Sequence, residues 1–359
     1  MERKDILLKH SLWMDQQENS PVVLSSRVRL ARNLDSLPFP HVLPLEEAKK
    51  AEKIMAEVLR NLEVETEKLS YLSLDELSTI EQQVLIEKHL ISPALVNAVG
   101  SRGVALAQDH RCAVMVNEED HLRLQVLMPG DKLSETYRLA NVLDDALEKN
   151  LDFAYREAQG YLTACPTNVG TGMRASVMVH LPALALSNQV QQVLGALTHL
   201  GLAVRGIFGE GSQAYGHIFQ VSNQITLGKS EEDIVVHLEA VTGQIVEHEL
   251  QAREVLREQA SLSLEDKVWR ARGTLQNARL LTSEDAIHLL SIDKMGTDMG
   301  ILPKIKQTFA ALLVDSHPGS LQYSLNQELN PSQRDEQRAR LFREAMNQRV
   351  AEAAEDMKI

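Results

Sequence analysis

Beyond Glu258 the sequence loses every strand signal, and this asymmetry constrains the fold more than any other feature. Residues 264–281, 283–294, 303–314 and 331–356 all space their apolar residues for helices. Pro303 and Pro331 sit where first-turn prolines belong, and Ser263, after Leu262, is placed to cap a new helix. Upstream, the two periods mix. Helical spacing predicts helices over 45–62 (Pro44 at its start), 131–150 and 187–200, with a long one from Glu231 to about Gln259. Residues 111–128 read as a hairpin: Cys112 to Val116, the acidic turn Asn117-Glu118-Glu119-Asp120, then a return strand. In that strand Leu122, Leu124, Val126 and Met128 alternate with Arg123, Gln125 and Leu127, so Arg123 faces away from the core beside the acidic turn. Further strands are predicted at 161–164, 176–181, 203–208 and 217–221. No internal repeat or low-complexity run occurs. The expected division is an N-terminal segment (1–22), an α+β domain (23–258) and an all-helical domain (259–359).

Composition narrows the function classes. At 359 residues and 44% hydrophobic, the chain can bury a large core. Aromatics at 4% argue against a base-stacking nucleic-acid platform. The 37 basic and 50 acidic residues give −13, unevenly spread. Residues 253–359 hold 15 basic and 16 acidic, so the first 252 hold 22 against 34, a net of −12. Such a surface repels nucleic acid, and any anion-binding arginines must be gathered locally. No apolar run reaches membrane-span length, and Met1-Glu2-Arg3-Lys4-Asp5 lacks a signal-peptide core. Two cysteines, Cys112 and Cys165, exclude a disulfide framework and a four-cysteine zinc site, which points to a reducing cytoplasm.

Two motifs mislead. Gly228-Lys229-Ser230 looks like the end of a P-loop, but Asn223 stands where its first glycine belongs, and Gly209-Glu210-Gly211 lacks the third glycine of a dinucleotide fingerprint. A set of arginines is more informative. Arg27 and Arg29, one residue apart in Ser25-Ser26-Arg27-Val28-Arg29, share a face of an extended strand. Arg123, Arg174 and Arg205 complete the set. Each alone reads as a surface residue; converging, five guanidinium groups would neutralise a triphosphate and align it for transfer. Glu118, Glu119 and Asp120 are three acids on one turn, ordinarily a solvated loop, and Glu210 follows Arg205 by five residues; two carboxylates flanking a guanidinium can orient it, and one can take its proton. Cys165 alone reads as a buried structural cysteine, His89 as a helix-end histidine, and Arg334 and Arg338 as a solvated helix face.

Ser25-Ser-Arg-Val-Arg29, Asn117-Glu-Glu-Asp-His-Leu-Arg123, Cys165-Pro-Thr-Asn-Val-Gly-Thr171, Arg174-Ala-Ser-Val177 and Arg205-Gly206 through Glu210 together resemble the phosphagen (guanidino) kinases, in the family's order over residues 22–252. The resemblance implies an α+β catalytic domain, an antiparallel sheet flanked by helices. It implies that Ser25, Ser26, Arg27, Val28, Arg29, His89, Arg123, Arg174, Ala175, Ser176, Val177, Met178, Arg205, Gly206, Ile207, Phe208, Gly209 and Glu210 contact ATP. Glu119 resembles the catalytic base, Glu210 the second carboxylate and Cys165 the substrate-proximal cysteine. Magnesium in such enzymes rides on the nucleotide, so no protein ligand cage for a metal is expected.

Two departures refine the resemblance. The Arg-Val-Arg strand begins by Arg27, without the helical cover that precedes it in kinases of free guanidino compounds, and residues 207–215 differ from the usual closing loop. With the added helical region, the whole chain resembles the bacterial protein arginine kinases of this family. That resemblance implies phosphorylation of exposed arginines in proteins, and a phosphoarginine-sensing motif at Arg334-Asp335-Glu336-Gln337-Arg338-Ala339. It also implies a homodimer, and partners including a zinc-binding activator (McsA), a heat-shock repressor and a Clp ATPase, in bacterial stress response and protein quality control. The competing expectations are a kinase for a small guanidino compound and a phosphoarginine-reading adaptor without catalysis.

Overall fold

The computed structural model describes residues 3–15, 20–65, 67–206 and 215–348. Strands β1 (Val23–Arg32), β2 (Ser70–Ser73), β3 (Gly103–Leu106), β4 (Cys112–Val116), β5 (Leu122–Pro129), β6 (Met173–His180), β7 (Leu202–Gly206) and β8 (Ile218–Asn223) form one eight-stranded sheet. Its order is β7-β8-β6-β1-β5-β4-β3-β2, and every neighbouring pair is antiparallel. The central strand β1 is flanked by β5 and β6. Alternation splits each strand between two faces. One face carries Val28, Leu30, Leu124, Val126, Ala175, Val177 and Val221, all buried in the main core.

Helices α1 (Leu45–Asn61), α3 (Leu133–Glu148) and α5 (Glu231–Asn277) contribute to that core through Met55 and Leu59, Leu139 and Leu143, and Leu238 and Ile245. Between α1 and α3 lies α2 (Thr79–Glu87), and α4 (Val190–His199) precedes β7. The chain closes with α6 (Ser283–Asp298), α7 (Phe309–Asp315), α8 (Pro318–Leu325) and α9 (Pro331–Met346). Each fully buried aliphatic side chain contributes about 1.5–3 kcal/mol, so these layers dominate the energetics. Leu264, Val268, Ile292 and Met295 belong to the same core as the sheet, and Leu24 and Met178 of the sheet pack with Phe309 and Phe342. The helical region therefore continues the core beneath the sheet.

Three expectations need correction. The long helix from Glu231 breaks at Ala260 (φ −139°, ψ 31°), close to the expected end at 259, and a second helical stretch follows directly to Asn277, so α5 is two helices joined at a kink and Ser263 lies inside the second rather than capping it. Residues 303–308 are not helical; α7 starts after Thr308, whose hydroxyl caps Ala311 N–H at 3.1 Å, and Pro303 instead offers its carbonyl to Arg272 at 3.2 Å. The strand at 161–164 shrinks to Gly160–Tyr161, because Leu162 N–H goes to Ala154 O and Ala164 N–H to Asp120. Strands β2 and β3 had no assignment from sequence.

Candidate active site

Register alone gathers the arginines. Across β1 and β6, Arg27 opposes Ser176 and Arg29 opposes Arg174; across β1 and β5, Ala31 opposes Arg123 and Arg29 opposes Gln125. Outward from β6, Met178 opposes Gln220 and Gln220 opposes Arg205. Directly opposed residues share a face, so Arg27, Arg29, Arg123, Arg174 and Arg205 all rise from the face opposite the main core. Ser25, Ser176 and Met178 stand with them.

Ser26, Val28, Ala175 and Val177 do not. Val28, Ala175 and Val177 point into the main core, and the Ser26 hydroxyl donates to Gly130 O at 2.8 Å while accepting Lys132 N–H at 3.0 Å. Of the segment after Gly206, which ends β7, residues Ile207, Phe208, Gly209 and Glu210 lie outside the described residues.

The arginine field is electrostatically strained. Burial, then repulsion from Arg174 and Arg123, lowers the Arg27 pKa to about 10. Burial, then Arg27, Arg123 and Arg174, pushes Arg29 well below its ordinary value, against the pull of Glu118. The Arg29 Nε is buried without a hydrogen-bond partner. Arg27 donates to Gln220 Oε1 at 2.5 Å and Ser176 Oγ at 3.4 Å, and Arg174 to Ser222 Oγ at 3.2 Å. Crowded cations, with Arg27 bonded to neutral oxygens and Arg29 Nε without a partner, form a site that an anion would stabilise.

The acidic turn closes one end of this field. Asn117 takes φ +56°, tolerable for Asn, and its amide donates to Ala48 O (3.2 Å) and Ser101 O (2.8 Å). Glu118, its carboxylate 1% exposed, sits 2.6 Å from Arg123 Nη1 and accepts the Ser92 hydroxyl. Glu119 is 45% exposed and 3.1 Å from Arg123 Nη2. It is thus the carboxylate of the pair that a solvent-borne guanidinium can reach. Asp120, fully buried, accepts Asn33 Nδ2–H at 2.6 Å and Ala164 N–H at 2.7 Å. It thereby ties the turn to the Cys165 loop. There the Cys165 sulfur is partly exposed, 3.0 Å from Thr167 Oγ1, and Thr226 Oγ1 donates to Thr167 O and Val169 O at 2.8 Å each.

On the other side of Arg27, a small pocket is lined by Ser25, Arg27, His89, Leu127, Ser176, Met178 and Gln220. His89 follows α2 with φ +58°, and burial, then Arg27 and His317, lowers its pKa to about 3, so its ring is neutral. Leu127 and Gln220 had escaped the sequence reading. The alternation that exposed Arg123 marks Leu127, and Gln220 between Phe219 and Val221 carries the same signal. Asn33 gave none: its partner Asp120 is 87 residues away.

The segment from Arg334 to Ala339 sits apart, on α9. Arg338 is buried, donating to Ser316 O (2.9 Å), Leu281 O (2.8 Å) and Asp335 Oδ1 (2.6 Å). Arg334 is partly exposed and donates to Leu329 O at 3.0 Å. Arg338 is therefore not on a solvated face. Asp335 O receives Leu281 N–H at 3.1 Å, and Ala339 is fully buried. Glu336 and Gln337 fill the turn between.

An arginine-lined sheet face ending in a paired-carboxylate turn defines a nucleotide-dependent transferase acting on guanidino groups, and sequence comparison agrees. The family model for the C-terminal catalytic domain of ATP:guanido phosphotransferases matches residues 50–252, and that for the C-terminal domain of protein-arginine kinase McsB matches residues 261–357. A protein-arginine kinase of Moorella thermoacetica is 48% identical over 347 residues, 95% of this chain and 98% of its own length. That of Desulforamulus reducens is 47% identical, covering 94% and 96%. Among solved structures, a lombricine kinase is similar at TM-score 0.58 and 27% identity, covering 67% of this chain and 69% of its own. A duplicated taurocyamine kinase of Schistosoma mansoni aligns at TM-score 0.59 and 25% identity, covering 74% and 41%. The chain belongs to the ATP:guanido phosphotransferases, the phosphagen kinase family, and is an ATP-using phosphotransferase. Within that family it groups with the protein-arginine kinases.

Proposed function

We propose that this enzyme transfers the γ-phosphoryl group of ATP to arginine side chains of proteins. The observation that carries the reading is the convergence of five arginines on one sheet face with an exposed Glu119 at its end. Arg27, Arg29, Arg123, Arg174 and Arg205 hold the phosphates in line. Glu119 removes a proton from the substrate guanidinium, which is otherwise charged and a poor nucleophile, with Glu210 orienting it. The freed nitrogen attacks the γ-phosphorus, the bond to the bridging oxygen breaks, and ADP leaves with its new charge held by the arginines. Cys165 stands by the substrate. Among the described residues no group of three His, Cys, Asp or Glu side chains could hold a metal ion, and Glu118 is committed to Arg123 and Ser92. Magnesium would ride on the nucleotide, where it would screen phosphate charge.

Similarity to the protein-arginine kinases supports the finer reading: a cytoplasmic homodimer in stress response and protein quality control, marking proteins for Clp degradation alongside a McsA-type activator and a heat-shock repressor. No helix among the described residues is long and apolar enough to cross a membrane. Phosphoarginine stimulation through the segment from Arg334 to Ala339 belongs to the same proposal. A phosphate there must draw Arg338 from its present carbonyl and Asp335 partners, which makes the motif a two-state element.

The decisive experiment is ATP-dependent labelling of an arginine-containing protein such as casein, wild type beside Glu119→Ala. The expected product is an acid-labile phosphoramidate, reduced about 10²- to 10⁴-fold in the variant. Labelling of free arginine without labelling of protein would establish a small-molecule kinase instead, and neither product would leave the adaptor. Repeating the assay with added phosphoarginine on Arg334→Ala tests the sensor, whose loss removes the stimulation and spares the unstimulated rate.

A further inference from the structure

Three consecutive residues leaving α2 are each fastened to a different part of the molecule. The Glu87 carboxylate, 7% exposed, accepts Gly319 N–H at 2.8 Å, Ser320 N–H at 2.7 Å and the Ser320 hydroxyl at 2.8 Å. It thus satisfies the first turn of α8, 232 residues further along the chain. The Lys88 ammonium, 3% exposed, donates to Leu7 O at 2.6 Å and Lys9 O at 2.5 Å. The Lys88 carbonyl in turn accepts the Trp13 indole N–H at 3.1 Å. His89 then turns into φ +58°, its ring centroid 5.3 Å from that of Trp13 at 60°, and its carbonyl accepts the Gln125 amide at 2.7 Å. Trp13 is itself immobilised with Met14 against Leu127 of β5 and Ala310, Ala311 and Val314 of α7.

This fastening exceeds what packing requires. A left-handed non-glycine residue relaxes unless its surroundings over-determine it. Two buried charges without a mutual ion pair cost more than apolar residues of their size would. What the expense secures is one object: the His89 ring, on the pocket wall shared with Ser25, Arg27, Ser176 and Met178. The arginines stand on strands and need none of these ties.

We propose that Glu87, Lys88 and Trp13 are positioning residues that hold His89 against the base of the bound nucleotide, so that base recognition is set jointly by the N-terminal segment and the C-terminal helices. The proposal rests on the ATP contact that the family resemblance implies for His89, taken as a contact to the base. Its consequence is that base-side and phosphate-side affinity are separable.

The test compares the dissociation constants of ATP and of inorganic tripolyphosphate, together with kcat, for the full-length enzyme and for Lys88→Met, Glu87→Gln, Trp13→Phe and His89→Ala. Lys88→Met and Glu87→Gln are expected to weaken ATP about 3- to 10-fold, the scale of one ring contact, with tripolyphosphate within about twofold and kcat at saturating ATP retained. Trp13→Phe, which keeps a ring under His89, should preserve ATP affinity. Should Lys88→Met not fold, Glu87→Gln carries the comparison, because it keeps the side-chain shape and one acceptor. Equal weakening of both ligands would make the ties merely structural, and unchanged ATP affinity in folded Lys88→Met and Glu87→Gln would overturn the proposal. If His89→Ala itself keeps the preference for ATP over tripolyphosphate, the base-contact reading falls and takes the proposal with it. If only His89→Ala loses that preference, the positioning role alone is wrong.

Discussion

Arg29 shows how a single side chain records its purpose. Its guanidinium stands among Arg27, Arg123 and Arg174, its pKa is depressed by burial and by those cations, and its Nε has no partner. Each of these features costs stability in the empty protein and disappears when a polyanion enters. Arg29→Met should therefore leave the melting temperature of the nucleotide-free enzyme unchanged or higher, and weaken ATP about tenfold or more. Calorimetry paired with thermal melts would contradict this with a melting point several degrees lower or an unaltered ATP affinity. Glu118 and Glu119 divide by environment in the same way. Adjacent in sequence, one is sealed against Arg123 and Ser92 and the other is open to an incoming guanidinium.

At the scale of elements, the site is an agreement between the β4–β5 turn and the loop carrying Cys165. Asp120 enforces it by accepting from both Asn33 and Ala164. Replacing Asp120 with Ala orphans two buried donors, each costing about 1–3 kcal/mol. The turn and the loop then lose their common reference, while the arginines keep theirs because they stand on paired strands. Asp120→Ala is expected to lower kcat by more than tenfold, in proportion to the misplacement of Glu119, with the ATP dissociation constant nearly unchanged. Steady-state kinetics beside equilibrium binding decide it, and a loss confined to ATP affinity would refute the division of labour.

For the whole molecule, buried histidines set the response to pH. Burial lowers His110 and His121 to about 4 and His180 well below 6.5, and all three side chains lie inside the protein. From pH 6.5 downward the unfolded chain takes up protons at these positions that the fold refuses. Stability is thus full above 6.5 and declines toward 4, by about 2 kcal/mol per histidine between pH 6.5 and 5. His10 acts oppositely. Asp315 raises its pKa, so its contribution is present below 6.5 and fades as pH rises through the folded value. One partly exposed pair is outweighed by three buried rings. Thermal melts should show a markedly lower transition at pH 5 than at pH 7.5, and equal transitions at both would remove the histidines from the account.

The strand parity of Arg27, Arg29 and Arg123, the hairpin with its acidic turn and the helical character of the last third were legible in the sequence, because the periods of 2 and 3.6 are properties of a few adjacent residues. The motifs also named the family. Only the tertiary structure decided the rest. It put β1 between β5 and β6, buried Arg338, and joined the two helical stretches of α5 directly across a kink at Ala260. It also joined Asn33 to Asp120 and Glu87 to Gly319. Those partners stand 87 and 232 residues apart, and loops of such length fix no separation in space, so no local spacing encodes the contact. The choice among distant partners falls to burial, which requires every enclosed donor and charge to find one.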